Sequence, residues 1–400
     1  MKNWERILHF LALLFVVFSL MGELFFPASV RFILDDIFLP FGLMFLGLTF
    51  FQKPSWRWII LSFVAMSAWG LMSDVLANGT IRTAPMGMLL RWLKWPTMLI
   101  LVAELSSLKI RKHHVTLSIR LVFLILAGIN IWMMLNISGT GRWLSEIFTP
   151  KSDVMISNYH EIGSFRLSGT MKNPNNNAIL FGLFLLYFLY TNARKYWKYI
   201  LLAFVMIFLT QSRTVLIIML AILGMYVLNK NSRRTNLILI PAGLISLLVG
   251  LFLFRSRNLM SIFDGSAFQS NSWRMRMEHY ELLFSSSASD TLLGHGIILD
   301  PISTVGFYFD TEYLSIGYQY GMIGLLIWVM ILVVLLLKLR TTNRKSTFGW
   351  AIVILVFGVA TTNFTFLNAE CATLMMALIG AWFFYHSQNE LDDHPAKESE

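Results

Sequence analysis

Twelve stretches of this chain are apolar for long enough to lie within a bilayer, and nothing else in the sequence restricts the fold so strongly. A membrane crossing needs roughly 20 mostly apolar residues. The candidate spans are 7–26, 37–52, 57–76, 86–107, 117–136, 177–191, 199–211, 214–229, 236–254, 315–337, 347–365 and 368–386. The predicted fold class is all-α: a polytopic helical membrane protein of about 12 transmembrane helices, with a large outer loop between spans nine and ten. Composition agrees. Of 400 residues, 56% are hydrophobic and 14% charged, against roughly 25% charged in soluble proteins. Lys2 and Arg6 followed by an apolar run look like a signal sequence. No small-x-small cleavage site is convincing and further spans follow, so the run reads as a retained first helix. The single cysteine, Cys371, excludes an internal disulfide and a thiolate metal cluster.

The net charge of +10 suggests nucleic acid until its placement is read. Short basic connections alternate with longer ones: Lys53/Arg57, Lys109/Arg111/Lys112, Arg194/Lys195/Lys198, Lys230/Arg233/Arg234 and Lys338/Arg340/Arg344/Lys345. Positively charged loops stay in the cytoplasm, so the basic balance is a topology signal and both termini are expected inside. The expected organisation is spans one to five over 1–136, an outer loop over 137–176 and spans six to nine over 177–254. A large outer loop over 255–314, spans ten to twelve over 315–386 and a disordered acidic tail over 387–400 complete it.

The outer connections nevertheless carry Arg142, Lys151, Arg166, Lys172, Arg213, Arg255, Arg257, Arg274 and Arg276. Cations there run against the topology rule, so something anionic should offset them. Arg166 and Arg213 are the sharpest pair. Arg166 opens the polar block Arg166-Leu167-Ser168-Gly169-Thr170 before span six, and Arg213 closes the turn Thr210-Gln211-Ser212 between spans seven and eight. An arginine near hydrocarbon is costly and by default points to function, although a lone one often only snorkels to the headgroups. Guanidiniums, hydroxyls such as Ser168 and Thr170, and a helix N-terminus together suit a phosphate. Two planar guanidiniums suit a diphosphate.

Three further clusters sit in or beside the large loop. The segment 271–284 reads as an amphipathic helix on the membrane surface, with Arg274 and Arg276 beside Met, Trp and Leu. Gly294-His295-Gly296 presents an imidazole on a sharp turn. Asp310-Thr311-Glu312 places two carboxylates at the lip of span ten, where a half-buried Glu312 can act as general base. Asp310, Glu312 and His295 are therefore the candidate bases, with Glu312 favoured. The carboxylates can equally pair with the arginines. No metal-ligand spacing, Walker loop or D-x-D motif occurs in the outer loops. Neither metal nor other cofactor is expected. A donor that arrives already activated on a lipid diphosphate needs neither.

These motifs have an order. Arg-x-Ser-Gly-Thr…Asn-Pro-Asn (166–175), Gln-Ser-Arg-Thr (211–214), Gly-His-Gly (294–296) and Asp-x-Glu-Tyr-Leu…Tyr-Gly-x-x-Gly (310–324) together resemble the bacterial O-antigen ligase and Wzy-type polymerase superfamily. The resemblance implies a glycosyltransferase on the outer face of the inner membrane that moves a glycan from undecaprenyl diphosphate. The acceptor would be a lipid-linked repeat in a polymerase, or lipid A–core in a ligase. It implies that Arg166, Arg213 and Arg276 hold the donor diphosphate. A flippase and a chain-length regulator are the implied protein partners, beside the acceptor glycolipid and the bilayer. Ligases typically carry histidine and a small polar residue where this chain has Asp310-Thr311. That departure leans the reading to a polysaccharide polymerase. A polyprenyl-phosphate-sugar transferase with Asp35-Asp36 in the first outer loop is a further reading. A transporter is disfavoured, because the long loops cluster in the middle and C-terminal parts and no two similar halves are seen.

Overall fold

The computed structural model describes residues 3–26, 37–80, 86–141, 143–144, 166–167, 169–171, 173–229, 274, 277–278, 281, 287–297, 311–343 and 346–393. Regular structure among them is helical. In chain order the helices are α1 (Asn3–Phe25), α2 (Leu39–Gln52), α3 (Arg57–Asn78), α4 (Met86–Ala103), α5 (Lys112–Leu135) and α6 (Pro174–Asn192). They continue as α7 (Trp197–Leu209), α8 (Arg213–Asn229), the short α9 (Ala288–Leu293), α10 (Glu312–Thr342), α11 (Phe348–Ala360) and α12 (Ala369–Asp393). By length and composition α1, α3, α4, α5 and α10 can cross a membrane, while α2, α7, α8 and α11 are apolar but shorter. The chain is a multi-pass membrane protein. The expected span 236–254 lies outside the described residues.

Several boundaries differ from expectation, each for a local reason. Span six begins earlier, because Asn-Pro-Asn is itself the first turn of α6. Pro174 occupies the first helical position and the Asn173 side chain accepts from the Asn175 N–H at 2.8 Å, a favourable helix start. Span four ends at Ala103, and Leu105–Leu108 form a 3-10 turn. The last helix runs on to Asp393, past the expected start of the tail at 387. Span ten is not one helix. Gly321 breaks α10 with φ 66° and ψ −173°.

The middle of the molecule is α6, buried at every residue from Asn177 to Thr191. A helix apolar on all sides belongs in the interior. It packs against α7, α8, α11 and α12, and Phe123 of α5 meets Phe181, Phe184 and Phe188 edge-on or tilted at 5.3–6.1 Å. On its other side α12 packs on α4, which joins α3, and α3 packs on α10. One end of the bundle carries the basic connections. There the Glu104 carboxylate accepts from Lys53 Nζ at 2.5 Å and Trp56 Nε1 at 2.8 Å, and Lys338 lies over the Trp56 ring at 4.4 Å. The opposite end gathers the motifs.

Candidate active site

The two sharpest arginines share one turn. The chain ahead of α6 pairs with the end of α7 through Leu167 N donating to Leu209 O at 3.0 Å. This brings Arg166 onto the α7–α8 turn. Its Nε donates to Thr210 O at 3.1 Å and its Nη2 to Asn175 Oδ1 at 3.2 Å. Arg213 opens α8 three residues beyond Thr210. The turn is firm: Thr210, Gln211 and Ser212 are buried, and Thr210 Oγ1 bonds both Ile207 O at 2.6 Å and Ser212 N at 3.2 Å. Thr170 has a different setting. It is buried against Asn130, whose Nδ2 lies 3.4 Å from its hydroxyl. Asn177 Nδ2 donates in turn to Asn130 Oδ1 at 2.7 Å and to Leu167 O at 3.3 Å. Asn130 escaped the sequence reading, although a lone amide in an apolar run is a signal.

Glu312 is not half-buried but fully enclosed. Oε2 accepts from Thr365 N at 2.8 Å and Thr365 Oγ1 at 2.5 Å, and Oε1 accepts from Phe366 N at 2.7 Å and Leu367 N at 3.1 Å. The Glu312 N–H returns a bond to Asn363 O at 3.2 Å. Five hydrogen bonds thus clasp the start of α10 to the loop between α11 and α12. The degree of burial differs from expectation because these donors are mostly backbone amides more than 50 positions away, which no side-chain pattern announces.

His295 stands where two motifs dock on each other. Beside the break in α10, the carbonyls of Tyr318, Gln319 and Tyr320 accept from groups outside the helix. His295 N donates to Tyr318 O at 2.9 Å and Gly296 N to Gln319 O at 3.1 Å. Trp69 Nε1 on α3 donates to Tyr320 O at 2.7 Å. Gly294 (φ 86°, ψ 171°) and Gly321 share the mirror-β conformation, which is almost confined to glycine. A Cβ on Gly294 would come within 2.4 Å of Gln319 O, and one on Gly321 within 2.3 Å of Leu292 O. Both glycines are needed for the two backbones to touch. The imidazole lies flat on Tyr318, ring centroids 4.0 Å apart, with Nδ1 3.3 Å from Tyr318 O. A carbonyl can only accept, so this contact favours the hydrogen on Nδ1, and in the neutral ring the Nε2 lone pair is then the free one.

Ser168, Asp310, Arg276 and the Asp35-Asp36 pair lie outside the described residues. Arg274 is exposed and pairs with Glu278 at 3.7 Å, one helical turn on. The backbone is helical at 274, 277, 278 and 281. Among the described residues no group of three or more His, Cys, Asp or Glu could hold a metal. Between α1, α5 and α12 lies an apolar cavity of about 380 Å³, lined by Leu13, Leu20, Val115, Val122, Phe184 and Ala381 among others, with Ser118 and His114 on its wall. Helix α1 also touches the Gly169–Met171 turn.

No curated protein matches this chain. Residues 198–329 do match the family model described as O-antigen ligase. That segment holds the Arg213 turn, the Gly-His-Gly turn and the break in α10, while Arg166 precedes it. This match supports the resemblance of the chain to the O-antigen ligase and Wzy-type polymerase superfamily.

Proposed function

We propose that this protein is a polymerase of a bacterial surface polysaccharide (O-antigen, capsule or exopolysaccharide). It would transfer a glycan from undecaprenyl diphosphate to a lipid-linked acceptor repeat at the outer face of the inner membrane. The observation that carries this is the locking of Arg166 onto the α7–α8 turn, three residues before Arg213 opens α8. Two arginines from separate motifs are thus brought to one turn at one end of a membrane bundle. Arg213 and Arg166 hold the diphosphate, and Arg274 and Arg276 of the large loop close over it. An acceptor hydroxyl attacks the anomeric carbon, the bond from that carbon to the diphosphate oxygen breaks, and undecaprenyl diphosphate leaves. Fixed cations stabilise the charge that develops on the leaving group. The hydroxyl proton passes to His295 Nε2. Glu312 serves as the clasp that holds α10 in place, since both its oxygens are already engaged. The isoprenoid chain of the carrier lies in the apolar cavity, whose wall α1 reaches the Gly169–Met171 turn.

The second reading is a ligase with the same donor and lipid A–core as acceptor. It is favoured by the description of the matching family, whereas Asp310-Thr311 in place of histidine favours the polymerase. Gel analysis of surface polysaccharide from a deletion strain decides between them. Core carrying one repeat is the expected result. Bare core with carrier-linked polymer would make the protein a ligase.

A further inference from the structure

We propose that Ser73 and Asp74 of α3 are positioning residues that fix the imidazole of His295 for proton transfer. This rests on the reading of His295 as the base. Asp74 is a carboxylate 1% exposed within a helix long and apolar enough to cross a membrane. Such a group is costly there and calls for a reason. Its Oδ1 accepts from Ile297 N at 3.0 Å, two residues beyond His295, and from Asn78 Nδ2 at 3.2 Å. The neighbouring Ser73 hydroxyl shares its hydrogen between Leu293 O at 2.8 Å and Gln319 O at 2.9 Å. Leu293 lies two residues before His295, and Gln319 follows the residue on which the imidazole stacks.

The backbone is thus held on both sides of His295 by adjacent residues of a third helix. Its own N–H and that of Gly296 are held by the broken α10. With Leu293, His295, Gly296 and Ile297 all anchored, the remaining freedom is rotation of the ring. Stacking on Tyr318 and the Nδ1 contact with Tyr318 O restrict that rotation. A catalytic group displaced by even about 1 Å can lose on the order of 10²-fold in rate. Ser73 and Asp74 are the side chains that prevent that displacement.

The test separates acceptor geometry from charge. Asp74→Asn keeps an Oδ1 that accepts from Ile297 N, whereas Asp74→Ala and Ser73→Ala remove the anchors. In the purified, reconstituted full chain, polymerisation is measured with lipid-linked repeat as kcat and KM. Carbethoxylation of His295 by diethyl pyrocarbonate is followed separately by peptide mass spectrometry. Asp74→Ala and Ser73→Ala are expected to lower kcat on the order of 10²-fold with the donor KM unchanged, and to alter the rate of His295 modification. Asp74→Asn and Ser73→Thr should restore most of both. Normal kcat and unchanged modification in Asp74→Ala would overturn the proposal. So would an Asp74→Asn variant as defective as Asp74→Ala, because charge would then be what counts. A fully active His295→Ala overturns the base reading instead, and the modification rate then still reports whether α3 holds the turn.

Discussion

Arg166 ties two elements together with one side chain. A guanidinium has five N–H donors in a rigid fork. Nε and Nη2 fix the group to Thr210 O and Asn175 Oδ1, so its plane is set before any ligand arrives. Lysine carries the charge but has no fork. Arg166→Lys should therefore insert normally yet lose most polymerisation, read as polymer length on a gel; wild-type polymer would show that charge alone suffices. Glu312 and His295 are expected to separate by kind of defect. Glu312→Gln sets an amide NH₂ against backbone N–H donors and loses charge-assisted bonds worth about 1.5–3 kcal/mol each. It should lower the unfolding temperature in detergent. His295→Ala should leave that temperature unchanged and abolish activity. The reverse pattern would return the base to the carboxylate. The motifs that carry the arginines and His295 stand out in the sequence because arginines on outer connections run against the topology rule and an imidazole between two glycines marks a sharp turn. The enclosure of Glu312 is not legible there, because its partners at 365–367 are mainly backbone amides. Ser73 and Asp74 were passed over because they sit inside a run read only for its hydropathy.

At the scale of elements, apolar runs translate well into helices, since hydrocarbon forces each backbone to satisfy itself. What the runs do not show is where such a helix stops being regular. Tyr-Gly-x-x-Gly stands out in the sequence as a motif within span ten but announces no break, yet Gly321 breaks α10 roughly 13 Å along it from Glu312, at about 1.5 Å per residue. Non-helical backbone within such a bundle survives only where its polar groups are paired, and here the Gly-His-Gly turn and Trp69 pair them. The two glycine motifs, 27 positions apart, form one structural unit. Gly321→Ala introduces strain of order 1–3 kcal/mol and a Cβ overlapping Leu292 O. The variant should remain inserted and retain α10 on both sides of the break. Its turn at 292–297 should lose protection in hydrogen exchange, and polymerisation should fail. Unchanged protection there would mean that the docking does not depend on the paired glycines.

The whole molecule has two ends of different character joined by an apolar interior. Glu104, Lys53, Trp56 and Lys338 knit the basic end, and the arginine turn, the Glu312 clasp and the His295 turn sit toward the other. A transfer from a lipid carrier needs more than the headgroup site, because the chain behind the diphosphate must also be accommodated. The cavity between α1, α5 and α12, about 380 Å³, falls within the size of ordinary ligand sites, about 300–1,000 Å³. Along α1 its wall runs from Leu13 to Phe25, roughly 18 Å at about 1.5 Å per residue. That exceeds half of a hydrocarbon core about 30 Å thick, so an isoprenoid chain can pass most of one leaflet inside it. Ser118 is exposed on the cavity wall, so a large side chain there fills the cavity without displacing the core. Ser118→Trp should raise the KM for donor with a full-length polyprenyl chain while leaving kcat near wild type. With a donor analogue whose chain is cut to a few isoprene units, the variant and wild type should behave alike. If Ser118→Trp discriminates neither donor, the carrier's chain lies elsewhere, and the cavity belongs to the bilayer's own lipids.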